Sequence, residues 1–471
     1  MFCSIIGHEE DNGHMYNENA WKKYENKELE NLFKFNDEYI KFISENKTER
    51  EVTKASIEIL KKNGFKNLDD VSTLKAGDKI YATNRGKNIA AFIIGKEDIE
   101  KGINVLGAHI DSPRLDLKQN PLYESGNFAY FDTHYYGGIV KYQWVARPLA
   151  IHGVVCKKDG SVVDVVIGED ECDPVVMISD LLPHLAQDKN TKPGTKVIEG
   201  EDLDLTIGHM PLKDEEKDAV KANVLKLLKD KYGIEENDFV SSELEIVPQG
   251  KARSLGLDSS MVLGYGHDDR VCAYTSLRAV LDTESVDRTS CAVLVDKEEI
   301  GSVGATGAQS KWFSNVIAEI INKSKKNYND LMLQHTLTNS YMLSSDVSAA
   351  FDPLYPSVFE KKKAAYLGHG LTFNKYTGAR GKSGCNDASP EFIAKIRNIL
   401  DNANVSYQTA ELGRVDQGGG GTIAYILSNL NMNVIDAGIP VISMHAPCET
   451  VSKVDVYEAY KGYIEFIKNI A

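Results

Sequence analysis

The sequence lacks the features that mark membrane, disulfide-bonded and thiolate-zinc proteins. No apolar run approaches the roughly 18 residues that a membrane-spanning helix needs, and the first residues, MFCSIIGHEED, lack the basic segment and long apolar core of a secretory leader. The seven cysteines are scattered and form no Cys-x-x-Cys pair, which predicts reduced thiols and excludes a thiolate framework. We therefore expect a cytoplasmic protein with no membrane partner.

Positive charge is also scarce. Lys and Arg number 54 against 69 Asp and Glu, so the net charge is −15. Nucleic acids and anionic membranes need a basic binding face, and neither is expected as a partner. The 471 residues suffice for two domains, each with its own core.

The chain does contain repeated short apolar runs that end in polar residues. In residues 1–116 and 258–471 these runs alternate with helical stretches, which predicts a split α/β domain with a mainly parallel sheet flanked by helices. Residues 117–257 differ, because they carry a hairpin pattern turning at Lys158-Asp159-Gly160 and an alternating SELEIV segment. We expect a β-rich domain inserted there.

Local signals predict individual elements. Charged surface helix is expected over 14–48, and a second helix ends at Asn63-Gly64. A hairpin over 79–94 turns at Asn84-Arg85-Gly86. A charged helix is expected over about 213–232, and the last helix, over about 456–470, has Asp455 as its expected N-cap.

Six side chains at predicted strand ends have metal-binding or proton-transfer chemistry: His109, Asp268, Glu298, Glu299, Asp346 and His445. Imidazole and carboxylate ligands without thiolates suit zinc, cobalt or manganese, and two such ions can share a bridging carboxylate. Each histidine alone would be an ordinary one, and a lone Glu-Glu pair a solvated one. Together they predict a two-metal site, in which one glutamate of the pair binds metal and the other accepts a proton.

The acids near these residues have more than one interpretation. Asp111 stands two residues after His109, a spacing that lets its carboxylate fix the imidazole tautomer; the alternative is an N-cap or turn acid. In the segment GHDDR we expect Asp268 to be the bridging ligand and Asp269 to pair with Arg270.

Five segments together resemble the M18 metallopeptidases, the aspartyl aminopeptidase family, in a bacterial form. They are GAHIDSPRLD, GYGHDDR, DKEEIGSVGATGAQS, SSDVSAAFDP and ISMHAPCE. The resemblance spans essentially the whole chain in order, with the long insertion in the same place. It implies a phosphorylase/hydrolase-like zinc peptidase domain interrupted by a β-rich dimerisation domain, with dimers assembling into a dodecamer.

The resemblance also implies roles for the six strand-end residues. His109, Asp268 and Asp346 would hold one metal ion, and Asp268, Glu299 and His445 the other. Glu298 falls at the family's general base. The implied cofactors are two divalent ions per subunit, zinc or alternatively cobalt or manganese.

Substrate contacts are less sharply implied. His184, in the segment PHLA, resembles a family histidine that reaches a neighbouring subunit's active site, and the alternative is a surface residue. Thr372 occupies the position where eukaryotic aspartyl aminopeptidases carry an acid-binding lysine, so an acidic preference at P1, the residue removed, is in doubt. Lys375, Arg380 or Lys382 can supply positive charge instead, and the alternative is a solvated loop.

A glycine run, DQGGGGTIA over 416–424, precedes an expected apolar helix. Its amides, including that of Gly419, can face a substrate carbonyl or anionic group, and the alternative is an ordinary glycine turn. No Gly-Lys-Ser/Thr closes the run, which excludes a Walker loop.

These observations predict an enzyme that hydrolyses the N-terminal residue from peptides, with an acidic or a neutral preference. A two-metal carboxypeptidase or amide deacylase with the same ligands is one alternative. A non-catalytic oligomeric assembly protein that keeps the fold is another.

Overall fold

The protein is a mixed α/β structure with three sheets. The computed structural model describes residues 18–325, 327–378 and 380–471, so positions 14–17 of the first predicted helical stretch lie outside the description. Within these ranges the α-helices are α1 (Asn26–Glu45), α2 (Glu49–Lys62), α3 (Gln187–Asn190), α4 (Ala219–Tyr232), α5 (His267–Leu281), α6 (Trp312–Ser324), α7 (Asp330–Thr338), α8 (Pro390–Asn402), α9 (Ala424–Ser428) and α10 (Lys453–Asn469). None of the helices in the described ranges has the length and apolar character needed to cross a membrane.

The strands in the same ranges follow in chain order. They are β1 (Lys66–Asn67), β2 (Lys79–Asn84), β3 (Asn88–Ile93), β4 (Asn104–His109), β5 (Arg114–Ser125), β6 (Phe128–Tyr136), β7 (Leu149–Cys156), β8 (Val162–Ile167), β9 (Leu205–Gly208), β10 (Ser242–Pro248), β11 (Arg253–Leu255), β12 (Met261–Gly264), β13 (Ser290–Val295), β14 (Tyr341–Ser344), β15 (Ser348–Ala349), β16 (Leu371–Asn374), β17 (Tyr407–Thr409), β18 (Asn433–Gly438), β19 (Pro440–Ile442) and β20 (Glu449–Ser452).

The largest sheet has nine strands in the order β1-β2-β3-β13-β4-β14-β18-β16-β17. Its four central strands, β13, β4, β14 and β18, are mutually parallel. Antiparallel pairings occur towards both edges, β2 with β3 and β3 with β13 on one side and β16 with β18 on the other. The sheet is therefore mixed, with a parallel centre.

Helices cover both faces of this sheet because its side chains alternate between two cores. Leu106 of β4 belongs to the core that contains residues of α5, α8 and α10. Its neighbour Val105 belongs to the core that contains residues of α6 and α9. The central strands are thus buried on both faces, as expected for parallel strands.

The region predicted to be an insertion contains a separate antiparallel sheet. Six strands follow the order β8-β7-β10-β5-β6-β9, and every neighbouring pair is antiparallel. Strand β5 begins at Arg114, three residues before the predicted boundary at 117, and β11, inside the predicted insertion, pairs in the third sheet. The third sheet has five strands in the order β11-β12-β20-β19-β15.

Several local predictions are confirmed. The 79–94 hairpin forms, with Arg85 and Gly86 at positive φ in its turn. Helix α2 opens with a capping box between Thr48 and Glu51 and is followed by Gly64 at φ +82°. The hairpin of β7 and β8 forms around Gly160, also at positive φ.

Two helix predictions need correction. Helix α10 begins at Lys453 with Ser452 at the N-cap, so Asp455 is not the cap. Instead Asp455 is buried inside the first turn, where it accepts hydrogen bonds from the amides of Gly368 and Gly370. The charged helix α4 begins at Ala219 and not near 213. The expected helix after the glycine run forms as α9, with five residues.

Candidate active site

Three neighbouring parallel strands bring four of the predicted residues to one edge of the nine-stranded sheet. Strands β13, β4 and β14 lie side by side. His109 is the last residue of β4, Glu298 and Glu299 follow β13, and Asp346 follows β14. Because the carboxyl ends of adjacent parallel strands meet at the same edge, these side chains lie together.

The two remaining predicted ligands come from the five-stranded sheet. Asp268 follows β12, and His445 follows β19 in a backbone conformation with φ +63°. The apolar runs of the split domain predict one mainly parallel sheet, which would include β12 and β19 together with β4, β13 and β14. That assignment is wrong, and the site lies where two sheets meet.

The two predicted ligand sets share one aspartate. Nε2 of His109 lies 3.1 Å from Oδ1 of Asp268 and 3.9 Å from Oδ1 of Asp346. Nε2 of His445 lies 3.2 Å from Oδ2 of Asp268 and 3.5 Å from Oε2 of Glu299. In each set one donor atom per residue lies within 4.8 Å of the others. The two oxygens of Asp268 therefore face two different histidines, as a bridging carboxylate requires.

This donor set fits zinc or a similar divalent ion. Zinc–ligand bonds of about 2.0–2.2 Å place neighbouring ligand atoms of a tetrahedral site roughly 3.4 Å apart, which is close to the separations of 3.1–3.9 Å found here. In addition, Oε1 of Glu299 is buried without a hydrogen-bond partner among the described residues. A cation bound beside such a buried carboxylate oxygen would stabilise it.

Burial opposes ionisation of the site's carboxyl groups. It raises the pKa of Glu298 to about 7 and the pKa values of Glu299 and Asp346 well above their usual range. Burial acts on Asp268 as well, but the neighbouring His109 and His445 side chains outweigh it and hold its pKa below the usual value. So many acids in one buried space favour binding of positive charge.

The two adjacent glutamates differ in exposure. Glu298 and Glu299 open a short 3-10 helix, Glu298–Ile300. Oε2 of Glu298 lies 3.9 Å from Nε2 of His109, and both glutamates group with His109 within metal-binding range. Distance alone therefore does not separate their roles. The Glu298 side chain is 15% exposed and that of Glu299 4% exposed, so Glu298 is the more accessible to water and substrate.

Asp111 orients both the histidine and the glutamates. Its backbone carbonyl oxygen accepts a hydrogen bond from Nδ1 of His109 at 3.0 Å, and its carboxylate lies 3.3 Å from the same nitrogen. It also accepts hydrogen bonds from the amides of Glu298 and Glu299 at 3.1 and 3.2 Å, and from the Tyr136 hydroxyl at 2.8 Å. Contact with Nδ1 leaves Nε2 directed at Asp268. The orienting interpretation fits this geometry, and the carboxylate also holds the start of the 3-10 helix.

The predicted pair of Asp269 with Arg270 does not form. Asp269 accepts a hydrogen bond from the backbone amide of His109 at 3.2 Å. The Arg270 guanidinium donates to the carbonyl oxygens of Lys47 and Tyr265 and lies over the Tyr265 ring. Adjacent opposite charges did not pair because the backbone directs them to different neighbours.

Glu449 is a site residue that sequence reasoning did not assign. Its buried carboxylate accepts hydrogen bonds from the backbone amides of Asp268, at 3.0 Å, and His445, at 2.7 Å. Burial raises its pKa to about 8. The available signal was its place four residues after His445 in the quoted segment ISMHAPCE.

The end of β6 also reaches the site, which no sequence pattern indicated. The carbonyl oxygen of Gly138 accepts a hydrogen bond from Nδ1 of His445 at 2.8 Å. A Cβ on Gly137 would lie 3.3 Å from Cβ of Glu299. We call residues 136–138 the β6 strap, because they connect the antiparallel sheet to Asp111, Glu299 and His445.

A cavity of about 450 Å³ opens beside these residues. Its lining includes Asp268, Glu298, Glu299, Asp346, His445 and the glycine run. Of the three predicted substrate-binding residues, Gly419 lies in this lining and Lys375 and His184 do not. Lys375 lines a different cavity and pairs with Asp387 at 2.6 Å, and His184 is exposed in the loop before α3. Thr372 is fully buried in β16.

Comparison with known proteins places this chain in the class of zinc metallopeptidases. The family model for aminopeptidase I zinc metalloproteases (M18) matches residues 42–467. A probable M18 family aminopeptidase 1 of Clostridium acetobutylicum is 58% identical over 456 residues, which covers 96% of this chain and 98% of the relative. The chain belongs to the M18 family of metallo-aminopeptidases and is a hydrolase.

Solved structures agree with this assignment. The M18 aminopeptidase of Thermotoga maritima has a TM-score of 0.93 and 44% identity, covering 97% of this chain and 100% of that one. Aminopeptidase I of Clostridium acetobutylicum has a TM-score of 0.90 and 56% identity, covering 96% and 99%. The Saccharomyces cerevisiae mApe1 dodecamer, at 24% identity and a TM-score of 0.75 over 93% and 97%, shares the fold.

Proposed function

We propose that this aminopeptidase holds two divalent metal ions, zinc or alternatively cobalt or manganese, and uses Glu298 as its general base. The observation that carries the proposal is the position of Asp268, whose two oxygens face His109 and His445 at 3.1 and 3.2 Å. Asp346 completes the first set and Glu299 the second.

The chemistry follows from the positions of the side chains. When bound, the ions supply Lewis acidity that acidifies water and stabilises negative charge on the scissile carbonyl oxygen. Glu298, the more exposed of the two glutamates, accepts a proton from the attacking water and donates it to the leaving amine. Asp111 accepts a hydrogen bond from the backbone amide of Glu298, which fixes that residue, and it contacts Nδ1 of His109, which fixes the ring.

Replacing Glu298 by glutamine tests the division of roles. Glu298→Gln keeps the size of the side chain and removes the proton acceptor, so we expect turnover to fall by about a hundredfold or more with full metal content by elemental analysis. The exposed Glu319→Gln on α6 is the matched control and keeps both. Loss of metal from Glu298→Gln with retained metal in Glu299→Gln would reverse the two assignments.

The end of the peptide that is attacked is tested with blocked substrates. The same peptide is offered with a free and with an acetylated amino terminus. Cleavage of the free form only supports removal of N-terminal residues, acidic or neutral, whereas cleavage of only the blocked form would favour the amide deacylase alternative. A chain that carries metal but cleaves neither would favour a non-catalytic assembly role.

We also propose the division into a phosphorylase/hydrolase-like peptidase domain, 1–116 and 258–471, and a β-rich dimerisation domain, 117–257. In support, the antiparallel sheet region exposes large apolar side chains on both sides of His184, among them Leu182 and Leu185. These are suited to contact another subunit, and dimers would then build a dodecamer. Light scattering tests this: a Leu185→Asp variant should dissociate, and a monomeric wild type would contradict the proposal.

A further inference from the structure

Two further cavities share lining residues, in succession, with the cavity at the metal-ligand residues. A cavity of about 380 Å³ shares Thr377, Leu412 and Gly419 with it. A third cavity, of about 640 Å³, shares Tyr376 and Glu411 with the second and extends along the edge strand β17. We call the second and third cavities together the basic trough.

The trough is rich in positive charge although the chain carries a net charge of −15. Two acids line it, Asp401 and Glu411. Against them stand six cationic side chains: Lys363, Lys375, Arg380, Lys382, Arg397 and Arg414. A concave surface lined by one sign of charge attracts ligands of the opposite sign.

Half of these cations already have partners. Lys375 and Lys382 both pair with Asp387, at 2.6 and 3.0 Å. Arg397 interacts with Tyr407, whose hydroxyl also donates to Asp401. Asp387 and Asp401 therefore offset part of the charge of these three side chains.

The other three cations have no acidic partner among the described residues. Lys363, Arg380 and Arg414 are exposed and form no ion pair with any acidic side chain in the part of the chain that the structure describes. The trough's remaining acid, Glu411, accepts a hydrogen bond from the Tyr376 hydroxyl. Guanidinium groups present paired N–H donors that match a carboxylate. The uncompensated groups are thus suited to bind carboxylates.

The activity decides which part of a substrate can reach the trough. An enzyme that removes the N-terminal residue has a single residue on the amino side of the scissile bond. The second and third cavities, of about 380 and 640 Å³, lie beyond the cavity at the metal-ligand residues and offer more room than one side chain needs. Only the peptide on the carboxyl side of the scissile bond, the leaving peptide, is long enough to occupy them.

We propose that the basic trough binds the leaving peptide and selects for carboxylates on it, through Arg380, Arg414 and Lys363. This inference rests on the aminopeptidase activity and is independent of which glutamate is the base. The carboxylates can be acidic side chains shortly after the scissile bond or the C-terminus of a short peptide.

Peptides that share their N-terminal residue test the proposal. We compare kcat/KM for Leu-Ala-Ala-Ala, Leu-Glu-Glu-Ala and Leu-Lys-Lys-Ala, each with a free and an amidated C-terminus. The acidic peptides should exceed the neutral ones by about threefold to tenfold, because each exposed ion pair contributes little alone, and added salt should reduce the difference. A preference for Leu-Glu-Glu-Ala over Leu-Ala-Ala-Ala identifies side chains as the source, and a fall in kcat/KM for Leu-Ala-Ala-Ala on amidation identifies the C-terminus.

Variants connect the preference to the trough. In Arg380→Gln/Arg414→Gln the ratio of acidic to neutral kcat/KM should fall towards one, while Arg253→Gln, an exposed arginine on β11, keeps the wild-type ratio. Equal rates for all three sequences together with no loss on amidation, or wild-type charge and amidation effects in the double variant, would overturn the proposal. Leu-p-nitroanilide, which has no leaving peptide, is measured in parallel. If Leu-p-nitroanilide is hydrolysed but the peptides show neither a charge preference nor an effect of amidation, the trough proposal is contradicted and the proposed function is not. If no substrate with a free amine is hydrolysed, the proposed function itself is contradicted.

Discussion

The carbonyl oxygen of Gly138 lies 2.8 Å from Nδ1 of His445 and accepts its hydrogen bond. A ring nitrogen that donates leaves the other nitrogen, Nε2, with its lone pair free for a metal ion. Gly138 follows strand β6 of the antiparallel sheet, whereas His445 follows β19 of the five-stranded sheet. The β6 strap therefore sets the orientation of a ligand that belongs to another part of the chain.

Substitution within the strap should weaken metal binding. Gly137 has φ +72°, and a Cβ there would lie 3.4 Å from Oε2 of Glu299. We expect Gly137→Ala to displace Glu299 or the strap and to lower affinity for the ion of the Asp268–Glu299–His445 set by about tenfold, the lower end of effects seen when groups behind metal ligands are altered. Zinc affinity is measured by competition with a chelator.

A glycine in the neighbouring hairpin provides the matched control. Gly126 has φ +58°, and a Cβ added there would meet no described atom within 4 Å beyond its chain neighbours. Gly126→Ala therefore introduces similar backbone strain without touching the metal site. Equal zinc affinity in Gly137→Ala and Gly126→Ala would show that the strap does not position the site.

Glu449 should support both metal sets at once, since it holds the amides of Asp268 and His445. In Glu449→Gln the side-chain amide retains one acceptor oxygen and presents N–H donors to the second backbone amide. We expect zinc affinity and kcat/KM both to fall by about tenfold or more, measured by zinc content after dialysis and by peptide hydrolysis. Glu319→Gln serves as the control, and undiminished zinc content in Glu449→Gln would contradict the assignment.

Much of the site was predictable because its ligands are local to strand ends. His109, Glu298 and Asp346 each follow an apolar run, and period and polarity are enough to place such residues at a sheet edge. Glu449 and the β6 strap were not predictable in this way. Glu449 acts by accepting hydrogen bonds from backbone amides and the strap by accepting one from an imidazole N–H, and apolar periodicity indicates neither contact.

The fold shows the same division between local and long-range information. Hairpins such as β2–β3 follow from turn residues close in sequence. The assignment of β12 to a sheet depends on its pairing with β20, almost 190 residues later. Apolar character alone cannot specify such a partner, which is why β12 was placed in the wrong sheet.

Stability should depend on pH through His152, which joins the antiparallel sheet to helix α2. Its Nδ1 lies 2.7 Å from Glu51 and its Nε2 3.1 Å from Glu169, which also binds Lys47. Burial lowers the pKa of His152, but the two carboxylates outweigh burial and raise it above its ordinary value of 6.5. The same contacts outweigh burial and lower the pKa values of Glu51 and Glu169.

These shifts fix the sign of the pH effect. A histidine whose pKa is raised in the folded state stabilises the fold fully below pH 6.5, the pKa of the unfolded chain. This contribution is lost as the pH rises through the folded-state pKa. The carboxylates of Glu51 and Glu169 stabilise the fold above pH 4.5, their ordinary pKa, and this contribution is lost as the pH falls below it. We expect His152→Gln to lower the free energy of unfolding by about 1–3 kcal/mol near neutrality. The gap to wild type should be widest near about pH 6 and should narrow towards alkaline pH. The difference in thermal unfolding midpoint between variant and wild type, measured from pH 5 to about 10, tests this expectation. The exposed His134→Gln is the control. A difference that widens with rising pH would contradict a protonated His152.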